Sequence, residues 1–161
     1  MKKVEIIKLV NAGILSMTAH NLKPAQAYKA FKLKREVEKA FKEIQEEQDA
    51  IKKDNGLTDE KEEKAAKIVD KINVGTSVSE DERQFLLSNN EDNRKIASLF
   101  KEANKAEVSL DLKTIPYEDW RILQAENKEK TIGNNKVDIL GGEAEIILEG
   151  IFWDAPVEDG K

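Results

Sequence analysis

A chain of 161 residues without a single cysteine excludes disulfides, thiolate nucleophiles and thiolate metal sites. Its 37% charged and 39% hydrophobic residues suit a polar helical globule and not a disordered chain. The net charge of -5 is unevenly spread: residues 1–56 carry 12 Lys and Arg against 8 Asp and Glu, and residues 57–161 carry 15 against 24.

Lys2 and Lys3 precede an apolar run, but Glu5, Lys8 and Asn11 interrupt it and no small-residue cleavage site follows. It therefore reads as helix, not signal peptide. No apolar run approaches the roughly 20 residues that cross a bilayer, so no membrane partner is expected. Ile7, Val10, Ile14 and Met17 follow a three-four-three spacing that predicts a helix from about Lys3 to Ala19. Gly13 weakens its middle by about 1 kcal/mol relative to alanine, and is expected to mark close packing against Ala27 or Ala30. His20-Asn21 ends this helix, and the connection to Lys23 is short enough for an antiparallel hairpin. His20, the only histidine, has no metal or catalytic companions near it in sequence and reads as a surface residue at a helix end.

Pro24 to Asp54 is the strongest element. Pro24 suits a first helical position, and no further proline or glycine occurs before Gly56. Ala30, Val37, Ile44 and Ile51 recur every seven residues, while Tyr28, Phe31, Leu33 and Ala40 widen the apolar stripe, so cover by more than one neighbour is expected. Such a helix is about 45 Å long. The first helix is expected on its front half and a helix over Asp59–Asn73 on its rear half, with Phe41 buried between them.

Asp59 with Glu62, and Ser79 with Glu82, are helix-start patterns. The first opens a helix whose buried face is Ala65, Ile68, Val69 and Ile72. The second opens a short helix bearing Phe85, Leu86 and Leu87, broken at Asn89-Asn90 and followed by a helix over Glu91–Ala106. Glu107–Leu112 then alternates polar and apolar residues, predicting a strand paired with Lys136–Leu140. Between them Ile115-Pro116 introduces a short helix over Tyr117–Glu126 anchored by Trp120 and Leu123, and Lys128–Asn135 reads as loop. Ala144, Ile147, Leu148 and Ile151 share one helical face behind Gly141-Gly142. Phe152 and Trp153 plug the core in the first reading. In the alternative they act with Trp120 as an aromatic anchor for a protein partner. Asp154 to Lys161 reads as a flexible acidic tail.

The fold class expected is mainly α, a long central helix in an antiparallel hairpin or bundle, with a small two-stranded β element in the C-terminal half. One domain over 1–161 is expected, with a helical core over 1–73 and a smaller α(+β) part over 74–153.

Motifs for chemistry are missing. Gly141-Gly142 has no phosphate-loop fingerprint around it, Asp54-Asn55-Gly56 lacks the later ligands of a calcium loop, and the acidic clusters at Asp59–Glu63 and Ser79–Glu82 suit helix caps. No catalytic, cofactor or metal residues are therefore assigned, and an enzyme is not expected. The basic excess around the long helix is expected to face solvent and the acidic remainder of the chain. The alternative is a nucleic-acid face made of Lys29, Lys32, Arg35, Lys39 and Lys42.

The run Leu9-Val10-Asn11, then Leu22-Lys23-Pro24-Ala25-Gln26-Ala27-Tyr28-Lys29 leading into a charged helix that ends at Asn55-Gly56, resembles small helical proteins encoded by tailed bacteriophages and prophages. The acidic alternating segment Glu107 to Pro116 also fits that resemblance, which spans roughly residues 4–120; Ile151-Phe152-Trp153 has no counterpart. It implies no defined activity. It implies a structural, assembly or accessory role through a protein partner, a second copy of the chain included, and a location in the host cytoplasm or the virion.

Overall fold

The computed structural model describes residues 1–156, so the acidic tail expected over 154–161 lies, from residue 157 on, outside the described residues. Helix α1 spans Lys3–Asn11, and the Glu5 carboxylate accepts the Lys2 backbone N–H at 2.7 Å at its start. It ends well short of Ala19. Gly13 adopts φ 96, a left-handed conformation that glycine enters without steric cost, and the chain passes into a 3-10 turn over Ile14–Ser16. The expected packing of Gly13 on Ala27 or Ala30 is replaced by another close approach: a Cβ at Gly13 would collide with Ile132 Cδ1 and touch Ile139 Cγ1 at 3.5 Å.

Helix α2 spans Pro24–Asp54 without a break, as its sequence predicts. The Lys23 carbonyl accepts from the Gln26 and Ala27 amides, leaving Pro24 where an N–H is not needed. Its end is a glycine-dependent stop: Gly56 takes φ 75, its N–H donates to the Lys53 carbonyl, and the Leu57 N–H reaches back to Lys52. Ala30, Leu33, Val37, Ala40 and Ile44 are buried, whereas Phe41 is half-buried and Tyr28 and Phe31 are exposed. The widened apolar stripe is therefore not fully covered.

Helix α3 spans Asp59–Asn73 as expected, but its cap is Thr58, one residue before Asp59, whose hydroxyl accepts the Lys61 N–H. Helix α4 (Glu80–Ala103) opens with the reciprocal Ser79 and Glu82 cap and runs through Asn89-Asn90. Asparagine costs a helix only about 0.7 kcal/mol against alanine, and Asn89 lies buried on the same side as Ile96, so tertiary packing overrides local preference.

The predicted strand at Glu107–Leu112 does not form. Residues 106–115 form a strap without helix or ladder, turned once where the Leu112 N–H donates to the Leu110 carbonyl at 3.1 Å, and held by the Met1 carbonyl accepting from Val108 at 2.6 Å and by the Ile115 N–H donating to Phe152 at 2.8 Å. Helix α5 spans Tyr117–Glu126. The two-stranded antiparallel sheet lies in the C-terminal half but is local: β1 (Lys130–Ile132) pairs with β2 (Asn135–Val137) across Gly133-Asn134, with Gly133 at φ 60. A glycine in the first position of a two-residue loop is the hairpin signal that a loop reading of Lys128–Asn135 passed over. Helix α6 (Glu143–Leu148) follows, and Gly150 turns the chain so that Phe152 and Trp153 point inward.

The described chain forms two compact units, Met1–Glu43 with the chain from Ala106 onward, and Ile44–Lys105. That division does not coincide with a boundary near residue 73. In the first unit α1 lies closest to α6; in the second α3 lies closest to α4. The expected arrangement of α1 and α3 as two partners laid along α2 is thus not the main helix pairing. The largest fully buried side chains, among them Trp120, Phe152, Ile6, Leu9, Leu33 and Val37, all belong to the first unit. The second has a thin core of Ile44, Leu57, Ala65, Ile68 and Ile96, while Val69, Ile72, Leu87 and Leu99 stay substantially exposed.

Candidate functional site

The aromatic residues named as a partner anchor are interior. Trp120 and Phe152 have no exposed area and Trp153 only 6%. Trp120 stacks on Trp153 with ring centroids 5.4 Å apart and meets Phe152 edge-on at 6.2 Å. The Trp153 indole N–H donates to the Glu145 carbonyl at 3.1 Å. An interface anchor must reach a partner, and these three side chains are occupied with one another and with α6. They close the core, as in the first of the two sequence readings.

The basic residues of α2 separate into two groups. Lys29 Nζ donates to the Thr114 carbonyl at 3.2 Å and Lys32 Nζ pairs with the Asp111 carboxylate at 2.7 Å, so both hold the strap. The strap hydrogen bond raises the Lys32 pKa against the opposing effect of desolvation, and the same bond lowers that of Asp111. Lys34, on another side of the helix, donates to the Met17 carbonyl at 3.3 Å. Arg35, Lys39 and Lys42 are exposed, and among the described residues none of the three has an ion-pair partner. The five residues proposed as a nucleic-acid face are therefore two strap holders and three free cations.

The outward side of α2 can be placed from its helical period. At about 100° per residue, Phe31, Arg35, Lys39 and Lys42 fall within about 60° of Tyr28, on the side away from Ala30, Leu33 and Val37. Tyr28 is 63% and Phe31 55% exposed. The result is an exposed strip about 20 Å long with two aromatic side chains at one end and three cations behind them. The strap lies along one flank, where Glu36, Lys39, Ala40 and Glu43 with Val108, Ser109 and Leu110 line a cleft of about 80 Å³. Sequence reasoning had Tyr28 and Phe31 in hand, but assigned them to a covered stripe.

A polar clamp escaped the sequence reading altogether. Asn127, fully buried, accepts the Thr18 N–H at Oδ1 (2.9 Å) and donates from Nδ2 to the carbonyls of Thr18 and Leu123, both at 2.8 Å. Beside it Glu126 accepts the Thr18 hydroxyl, the His20 N–H at 2.9 Å and the Asn21 N–H at 2.7 Å, while Lys130 Nζ donates to the Thr18 hydroxyl at 3.1 Å. Burial pushes the Glu126 pKa up, but the bonds from Thr18, His20 and Asn21 outweigh it and hold the carboxyl below its ordinary value. The clamp fixes the turn that leads into α2. No signal in a single sequence joins residues more than a hundred positions apart. The open cleft of about 300 Å³ nearby, lined by Arg121, Gln124, Lys128 and Asp138 among others, is shallow and has no convergent set of reactive groups.

Among the described residues no helix is long and apolar enough to cross a membrane. Comparison of the chain with protein-family models, with curated proteins and with solved structures finds no match.

Proposed function

We propose that this chain is a non-catalytic contact protein, which uses the outward strip of α2 to bind another protein. One observation carries the reading: two aromatic side chains, Tyr28 and Phe31, stand in solvent on the part of α2 that belongs to the first unit, where Ala30, Leu33 and Val37 on its other side are buried. Aromatic and arginine side chains dominate interface energetics, and Arg35 lies one turn behind Phe31. Each shifted titratable group also has a structural occupation: Lys32 with Asp111, Glu82 in a cap with Lys71, and Glu126 in the clamp. The bacteriophage and prophage resemblance adds a setting, a structural, assembly or accessory role in a host cell or virion. The test is an array of charged and apolar peptides probed with the intact chain and with the double variant Tyr28→Ala, Phe31→Ala. The reading expects peptide binding that the double variant loses while its fold is unchanged. Retardation of DNA at low salt, lost in that same variant, together with a silent array, would replace it with a nucleic-acid function.

A further inference from the structure

We infer that the partner segment is an extended acidic peptide, laid along the strip formed by Tyr28, Phe31, Arg35, Lys39 and Lys42. The inference rests on the protein-contact reading above and specifies its ligand. The strip is marked by its charge. Arg35, Lys39 and Lys42, exposed and without an ion-pair partner among the described residues, follow one another along α2; Glu36 and Glu38 lie about 80° to either side of Tyr28, and the exposed Glu43 and Glu46 come in only at the far end of the strip, beside and one turn beyond Lys42. An acidic ligand meets complementary potential along the strip, and a basic one meets repulsion.

A precedent lies on the same helix. The strap of residues 106–115 is itself a non-helical segment that alternates acidic and apolar residues, Glu107, Val108, Leu110 and Asp111 among them. On the flank of α2 it is held by a lysine taking a carboxylate, Lys32 with Asp111, and by a second lysine taking a main-chain carbonyl, Lys29 with Thr114. Both devices are available again on the strip, from Arg35, Lys39 and Lys42. Tyr28 and Phe31 would cover apolar side chains of the ligand as the helix covers Val108 and Leu110, which are half-buried. Three cations offer few phosphate contacts, so a nucleic acid is the weaker fit.

The experiment is fluorescence anisotropy of a fluorescein-labelled decapeptide alternating Glu with Leu, titrated with the full chain at low salt. A decapeptide alternating Lys with Leu and a labelled single-stranded DNA serve as comparisons. Binding of the Glu-Leu peptide is expected, weakened at least tenfold by the charge reversal Arg35→Glu, Lys39→Glu and weakened also by added salt, with the Lys-Leu peptide inert. The substituted side chains are exposed, and an unchanged tryptophan emission spectrum checks that the variant is folded. Equal binding of the two peptides, or binding that ignores the charge reversal, overturns the acidic ligand but leaves a protein contact standing. Silence toward both peptides, with DNA binding lost on charge reversal, overturns both.

Discussion

Replacing Asn127 by alanine removes the hinge pin of the first unit. The side chain makes three hydrogen bonds of 2.8 to 2.9 Å, and its loss strands the Thr18 N–H and the Thr18 carbonyl together. The Leu123 carbonyl keeps a partner, because the Asn127 backbone N–H also reaches it. An unsatisfied buried polar group costs about 1 to 3 kcal/mol, and Thr18 is half-buried, so some water can reach it. The expected destabilisation is about 2 to 4 kcal/mol. Urea unfolding followed by tryptophan fluorescence measures it cleanly, since Trp120 and Trp153, the only two tryptophans, both belong to this unit. Asn127→Asp separates hydrogen bonding from shape: it keeps the outline but sets a carboxylate oxygen against two carbonyls. At neutral pH it is expected to destabilise at least as much as alanine. A loss below about 0.5 kcal/mol for Asn127→Ala would refute the clamp as a structural element.

Gly13→Ala is expected to cost about 1 to 2 kcal/mol from the left-handed backbone plus a further loss from collision with Ile132. In the same urea assay Ile132→Ala should recover only the collision part, and a neutral Gly13→Ala would contradict the φ assignment. For Glu126 the folded pKa lies below the ordinary value of 4.5, so its ionised form favours the fold above that value and the benefit disappears as pH falls through the folded pKa. Glu126→Gln should therefore be less stable than the parent at pH 7 and converge with it in acid; a gap that widened below pH 4.5 would mean that the fold favours the protonated carboxyl instead. Hydrogen exchange should open α3 and α4 sooner than the amides of α1 and α5, because the second unit buries fewer large side chains. Equal protection of the two sets would show that this thin core is supplemented from elsewhere.

What the sequence could show depended on range. The bounds of α2, α3 and α5 follow from proline, glycine and heptad signals within a few residues of each end, and the structure places them as expected. Local rules failed where tertiary contacts decide. Asn89-Asn90 looks like a break, yet the turn stays helical with Asn89 inside. Alternation at Glu107–Leu112 suggests a strand, yet the segment meets a helix surface and no ladder. Gly13 and Gly133 were legible in principle, one as a left-handed stop and the other as a hairpin turn. Tyr28 and Phe31 could not be sorted from the stripe beside them by periodicity alone, because an apolar residue near the edge of a helical face reads the same whether or not a neighbour covers it.

A partner is expected to touch the molecule along the outward strip of α2. An amide-resolved NMR titration of the chain with the Glu-Leu decapeptide tests this most directly. Shifts concentrated at Tyr28, Phe31, Arg35, Lys39 and Lys42, with α3 and α4 unmoved, are the predicted result. Shifts gathered on the exposed Leu87 and Leu99 of α4, with the α2 strip silent, would contradict it.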